Sequence, residues 1–206
     1  FGLNTKLVLT FYPIMLLLGM GLFLLFEYTN PATLGALPVS QKLTTSMFEA
    51  VNITAGFSTI DYAEAEQQTG FIMSGLMFVG GASASVAGGI KINTLAVVIV
   101  AISSTIQGRA HASAYGREIP DEQVRRALTV GSISLGMLFL VVLLLTLSNT
   151  TFDFLSLIFE SVSAFSTVGL STGITPDLSQ WGHIVLVVAM FVGRIGPFTL
   201  VIALAQ

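Results

Sequence analysis

Cysteine is absent from the 206-residue chain, which excludes disulfides, thiolate zinc sites and thiol nucleophiles. Histidine is almost absent, and His111 with His183 is too little for a histidine-rich metal site. Charge is scarce: Asp, Glu, Lys and Arg make up 9% of the residues, where a soluble domain carries about 25%. A chain this poor in charge cannot cover a water-facing surface. The apolar fraction of 53% and mean hydropathy of +0.87 agree with membrane embedding. The net charge of −3 singles out no charged partner; membrane lipid is the expected surrounding, and nucleic acid is not. The chain opens on Phe1 with no charged leader and cleavage site before the first apolar run, so we read it as a piece of a longer protein.

Against that background, apolar runs of spanning length are plain. The first, Leu7 to Phe26, holds Pro13, Gly19 and Gly21. A membrane helix tolerates these residues, which permit kinks or close helix contacts. Gln41 to Ile53 is too polar and too short to span; as a helix it reaches about 18 Å, roughly half a bilayer. Phe71 to Gln107 is apolar again but would measure about 55 Å unbroken. It is interrupted by "GGASASVAGGIKIN", with four glycines, two serines and Lys91, so two half-helices joined by an irregular segment are expected. Gly108 to Arg126 carries four of the eight basic residues, Arg109, Arg117, Arg125 and Arg126, and is assigned to the cytoplasmic side. Ala127 to Leu147 spans again. The following polar stretch holds Asp153, Glu160 and Asp177 without a basic residue, which suits the outer side. A last span runs from Trp181, an interfacial anchor, to about Ala205.

An internal repeat organises these pieces. Met47 to Asp61, "MFEAVNITAGFSTID", resembles Ile158 to Thr172, "IFESVSAFSTVGLST". Phe48-Glu49 matches Phe159-Glu160, and Thr54-Ala55-Gly56-Phe57-Ser58 matches Thr167-Val168-Gly169-Leu170-Ser171. The second copy has two extra residues between the Phe-Glu pair and the Thr-x-Gly. The order span, half-helix, loop, span occurs twice in parallel. The fold class expected is therefore all-α integral membrane, with repeats at residues 1–110 and 111–206.

Irregular backbone at membrane depth is tolerated where it lines a watery path. A half-helix entering from outside ends on its partly negative carbonyl end, which favours a cation. The loop beyond it can replace a cation's hydration shell with backbone carbonyls, as the TVGYG loops of potassium channels do. Thr167-Val168-Gly169 matches the first three letters of that signature, and Leu170-Ser171 departs from the last two.

These stretches, with "GGASASVAGGIK" and "FVGRIGPFTL", resemble the Ktr/Trk/HKT superfamily of potassium transporters, most of all its bacterial Ktr-type membrane subunits. The resemblance covers essentially the whole chain and matches the third and fourth of four span–loop–span repeats around one pore. It implies that Gly56 and Gly169 are filter glycines. It implies that Thr54, Ala55, Phe57, Thr167, Val168 and Leu170 offer carbonyls to potassium. It makes Gly80 to Lys91 an intramembrane gate, drawn from Gly80, Gly81, Ala82, Ser83, Ala84, Ser85, Gly88, Gly89 and Lys91, with Arg194 projecting toward it. It further implies a homodimer of four-repeat subunits, a cytosolic nucleotide-binding regulatory ring of the KtrA type, and a bacterial plasma membrane location. The loop Gly108 to Arg126 is the candidate contact for that ring.

Each feature has a plainer reading. The glycine break could serve close helix packing, but packing does not explain a span almost twice the needed length. It is not a phosphate loop, because Gly89-Ile90-Lys91-Ile92 lacks the Gly-Lys-Ser/Thr ending. Arg194 costs about 2.5–3.5 kcal/mol at mid-membrane, so it should face a cavity or a partner unless it snorkels. Glu49 and Glu160 occupy repeated positions and could orient the loops by hydrogen bonds to their amides; they are not spaced as a catalytic acid pair. The sequons at Asn52 and Asn149 are read as chance. The expected function is potassium transport through a carbonyl-lined filter. The alternative is a coupled cation secondary transporter with a broken-helix midplane site. An intramembrane enzyme lacks an acid–base or metal set.

Overall fold

In the computed structural model, residues 2–82, 85, 87–109 and 111–196 are described. The expected gate residues Ser83 and Ala84, and the last span beyond residue 196, lie outside them. The described residues form seven helices: α1 (Leu3–Glu27), α2 (Val39–Asn52), α3 (Gln67–Met77), α4 (Ile92–Ile106), α5 (Asp121–Ser148), α6 (Phe154–Phe165) and α7 (Gln180–Ile195). Two minimal strand pairs break the helical rule. β1 (Val79–Gly80) pairs in parallel with β2 (Ile90–Lys91) across the glycine break, and β3 (Ser113–Ala114) pairs antiparallel with β4 (Arg117–Glu118) in the basic loop.

By length and composition, α1 and α5 can cross a membrane. Both begin earlier than the apolar runs suggest, and α5 takes in part of the expected loop from Asp121 onward. Asp121 and Glu122 sit in its first turn, where acidic side chains are favoured by the helix dipole. Of its residues only Ala127, Ser134 and Leu145 are buried; Phe139, Leu140, Leu143 and Leu147 face outward. Pro13 lies within α1. At Gly19, α3 and the end of α2 press on α1: a Cβ there would lie 3.2 Å from Leu76 and 3.4 Å from Ile53, the residue that caps α2. Gly21 has open space beside it.

The short helix α2 is inverted relative to a soluble amphipathic helix. Lys42, Ser46 and Glu49, at i, i+4 and i+7, are buried, while Val39, Leu43, Met47, Phe48 and Val51 are exposed. Residues at those spacings share one helix face, so the polar stripe points inward. This resolves why a segment too polar to span belongs to a membrane protein. Lys42 Nζ donates to the Tyr28 carbonyl at 2.7 Å and lies 4.0 Å from the Tyr28 ring centre, so its charge is held by a carbonyl and an aromatic face.

The halves interlock rather than sit side by side. One core cluster takes Phe23, Leu34, Ile53, Met73 and Met77 from the first half and Phe159, Val162, Val168 and Leu170 from the second. The helix pairs α3–α6 and α4–α5 carry contacts between the halves. A second cluster, around Leu7, Val97, Ile119 and Ala127, gathers the start of α1, α4, the basic loop and the start of α5. In α7 the buried residues Gly182, Leu186, Ala189 and Gly193 make the inward seam, three of the four being small. A Cβ on Gly193 would fall 1.7 Å from the Phe165 carbonyl oxygen, so α7 runs directly against the end of α6.

Candidate functional site: two half-helix loops and the broken helix beneath them

The half-helices α2 and α6 each stop and release an irregular Thr-x-Gly loop. The end of α6 closes as a Schellman turn: Thr167 N–H donates to Ala164 O at 3.0 Å, and Val168 N–H to Ser163 O at 2.9 Å. The end of α2 closes differently, with Ala55 and Gly56 N–H groups both donating to Asn52 O at 2.9 Å. Gly56 has φ +76° and Gly169 φ +101°, conformations that glycine adopts without steric cost. The two loops meet. A Cβ on Gly56 would lie 2.0 Å from Val168 O and 3.2 Å from Gly169 Cα. Among the eight loop residues expected to offer carbonyls, Val168 and Leu170 are buried, Thr54, Gly56 and Thr167 are half-buried, and Ala55, Phe57 and Gly169 are exposed.

A glutamate braces each loop from behind. Glu49 is fully buried and accepts from Thr59 N–H at 2.8 Å, Thr59 Oγ1 at 2.9 Å, Ser58 Oγ at 3.0 Å and Tyr62 OH at 3.0 Å. Glu160, 4% exposed, accepts from Thr172 N–H at 2.8 Å, Thr172 Oγ1 at 3.2 Å, Ser171 Oγ at 2.6 Å and Thr175 Oγ1 at 2.6 Å. The braces are equivalent: each glutamate grips the Ser and Thr two and three residues after its loop's glycine. The two extra residues of the second copy fall before Thr167 and leave this register untouched. Ser58 and Ser171 stood out in the sequence only as matched positions, and Thr59, Tyr62, Thr172 and Thr175 not at all, although the repeated Gly-x-Ser-Thr was the available signal. Burial, and then the adjacent Glu49 carboxylate, hold the Tyr62 phenol well above the usual tyrosine range. It therefore stays a donor to Glu49.

The expected two half-helices with an irregular joint are present as α3 and α4. The joint folds back on itself through the parallel β1–β2 pairing, which places Gly80 beside Lys91. A Cβ on Gly80 would lie 2.1 Å from Gly88 O. Lys91 Nζ ties the joint internally by donating to Ser85 O at 3.1 Å and to Ala87 O. Gly88 reaches the second loop, its N–H donating to Ser166 O at 3.0 Å and Thr167 Oγ1 at 2.9 Å. Arg194, in the last turn of α7, lies within electrostatic reach of Lys91. The structure thus sets Gly88 and Gly89 against the second loop, while Gly80, Gly81 and Lys91 pack within the joint itself.

Two further polar anchors escaped the sequence reading. Glu27 closes α1, is fully buried, and accepts from Thr33 Oγ1 at 2.6 Å, Asn30 Nδ2 at 2.8 Å, Glu66 N–H at 2.9 Å and the Thr69 hydroxyl. It caps the start of α3. Asn149 follows α5 and accepts the Ser179 N–H, at the start of α7, at 2.6 Å. Both halves therefore tie the end of their first long helix to the start of the helix that follows their Thr-x-Gly loop. Asn149 is thereby a buried structural residue of this tie. Among the described residues there is no group of three or more His, Asp or Glu side chains able to hold a metal. The candidate ion ligands are backbone carbonyls and hydroxyls.

The family model of TrkH, described as a cation transport protein, matches residues 5–206. The chain belongs to the TrkH cation transport family. Family relatives include the Ktr system potassium uptake protein B of Bacillus subtilis (strain 168), 39% identical over 207 residues, covering 100% of this chain and 46% of the relative. The protein of the same name from Vibrio alginolyticus is 36% identical over 206 residues, covering 99% of this chain and 45% of its own. The crystal structure of the potassium transporter TrkH from Vibrio parahaemolyticus has the same fold, with a TM-score of 0.75 at 20% identity, over 98% of this chain and 44% of that one. The chain thus spans about half the length of the curated relatives it matches. These TrkH-family relatives are named for potassium or cation transport, not for catalysis.

Proposed function

We propose that this chain forms half of a potassium-conducting pore in a bacterial plasma membrane, with residues 1–110 and 111–206 as two parallel span–half-helix–loop–span repeats. Potassium is the transported ion. The carbonyls of Thr54, Ala55, Gly56 and Phe57, with those of Thr167, Val168, Gly169 and Leu170, replace its hydration shell. The carrying observation is the direct meeting of Gly56 and Gly169 at the ends of two half-helices. Two loops braced identically by Glu49 and Glu160 form a rigid lining. A second pair of repeats closes the ring. Phe57, 68% exposed, and the open cavity of about 330 Å³ beside Thr167 and Gly169 are the faces it would cover. The joint between α3 and α4, with Lys91 and Arg194, is the gate beneath this lining, where positive charge opposes a permeating cation. The Ktr system relatives are named as parts of a multi-component system. On that kinship the proposal includes a homodimer and a cytosolic nucleotide-binding ring that contacts the basic loop at β3–β4.

Expression of the full-length protein should restore growth of a potassium-uptake-deficient cell at low potassium; failure to do so removes the proposal's core. Gly169→Ser should reduce potassium-over-sodium preference, because a side chain at φ +101° disturbs the carbonyl geometry. Deleting Gly80 to Gly89 should raise flux.

A further inference from the structure

We infer that Thr167 is a positioning residue that latches the intramembrane joint to the second loop, so that movement of the joint is felt by the filter; this rests on the pore reading above. Thr167 occupies the position after the α6 cap where helices ending in a Schellman turn usually place glycine. Its φ of +53° is a left-handed conformation that a β-branched residue adopts only under constraint. Among the described residues the non-glycine positions with positive φ are Tyr115 and Thr167; Thr54, at the matching place in the first loop, is not one of them. A glycine at 167 would satisfy the same backbone bonds without strain, so the side chain must supply something.

What it supplies is an acceptor for the Gly88 N–H, at 2.9 Å, alongside the Ser166 carbonyl at 3.0 Å. The approach is close enough to require glycine on the joint: a Cβ on Gly88 would lie 2.8 Å from both Ser166 O and Thr167 Oγ1. Gly89 is similarly confined, with φ +67° and a would-be Cβ 2.7 Å from Phe78 O. Lys91 gathers the Ser85 and Ala87 carbonyls on the joint, while the Gly88 N–H is directed at the loop. Beside it the Ser166 hydroxyl is buried and unpartnered among the described residues, a spare group for the joint in a second position. Among the described residues, Thr54 in the first loop has no such hydrogen bond to the joint. When the joint withdraws, Thr167 loses the bond that offsets its strained backbone, and the carbonyls on either side of it are free to reorient.

The test uses the full-length protein in liposomes, with Ser85→Cys in a cysteine-free background as the reporter of joint position. Thr167→Val keeps the shape and removes the acceptor. Thr167→Gly removes both strain and acceptor. Each should speed modification of the Ser85→Cys thiol by a water-soluble reagent about fivefold, the shift one net hydrogen bond supports, and should raise potassium flux. Thr167→Ser should keep the wild-type modification rate, and so should Thr54→Val. A wild-type modification rate in Thr167→Val and Thr167→Gly overturns the latch. If Thr167→Val does not fold, Gly88→Ala decides, since it pushes the joint off from the other side and must speed modification equally. Should the protein carry no potassium at all, the pore reading fails, while the thiol rates still decide whether the latch exists.

Discussion

The loops Thr54 to Thr59 and Thr167 to Thr172 share the pattern Thr-x-Gly-x-Ser-Thr and an identical glutamate brace, yet they carry different constraints. The first loop is confined at its glycine: Gly56 lies so close to Val168 O that a Cβ would sit 2.0 Å away. The second is open at its glycine, where a Cβ would meet Gly56 Cα at 3.9 Å, and is strained two residues earlier at Thr167. Phe57 projects from the first loop while the matching Leu170 is buried in the shared core. The second loop also touches the broken helix through Gly88, and among the described residues the first loop has no counterpart to that hydrogen bond. A repeated motif thus carries two sets of contacts: the first loop abuts the second at Gly56, and the second also contacts the joint through Gly88.

The largest effect expected from this comparison is at Gly56. Gly56→Ala combines a left-handed φ with a backbone clash and should cost about 4 kcal/mol or more, with loss of potassium uptake and a collapsed melting temperature in detergent. Gly169→Ala meets only the backbone term, about 1–2 kcal/mol, and should fold with altered ion preference. Equal losses at the two glycines would erase the distinction drawn between the loops. Next come the braces. Glu49→Gln and Glu160→Gln each set an amide N–H₂ against donors and should cost about 2–4 kcal/mol, by nearly the same amount, with both lowering potassium-over-sodium preference. A large effect at only one of them would show that the braces are equivalent in geometry but not in load.

The end-to-start ties rank third. Glu27→Gln should destabilise by about 2–3 kcal/mol, because a buried charged acceptor with several donors is lost, and Asn149→Ala by about 1 kcal/mol; thermal unfolding of the purified protein separates them. The smallest change is Tyr62→Phe, about 1 kcal/mol from one lost bond to Glu49, with Thr175→Val its counterpart on Glu160. Its pH dependence is distinctive. A phenol whose folded pKa is raised contributes stability fully present below the ordinary tyrosine value of about 10 and lost as pH rises above it. The gap in stability between the wild type and Tyr62→Phe should therefore stay constant from about pH 6 to 9 and narrow only above about 10; a gap that closes near neutrality would place the phenol outside the Glu49 brace.

Much of this was legible in the residues. Long apolar runs announce α1 and α5, because hydrocarbon demands length and apolarity of any helix that crosses it. The excess length of Phe71 to Gln107, with its glycines, announced a broken helix, and Met47 to Asp61 against Ile158 to Thr172 announced a repeat. Glu49 and Glu160 could be suspected of gripping the loops because they recur. The residues they grip could not be named, since a glutamate reaches any donor within a few ångströms and the fold decides which. The inward polar face of α2 was hidden for a related reason: its apolar residues have helical spacing, and spacing alone does not say whether that stripe faces protein or lipid. Glu27 and Asn149 were invisible because their partners, Glu66, Thr69 and Ser179, are remote in the chain.

The sequence by itself determined the class of the molecule, since composition sets the solvent a chain can face, and the periodic breaks in its apolar runs determined where helices cross, stop and turn. Its repeat determined that there would be two similar loops. Only the tertiary structure decided that those loops meet glycine to glycine, that each is held by its own half-helix glutamate, and that the second alone receives Gly88 on its threonine. Those are close contacts between segments far apart in the chain. Their directions depend on how α2, α3, α6 and α7 pack, which no local pattern of residues encodes.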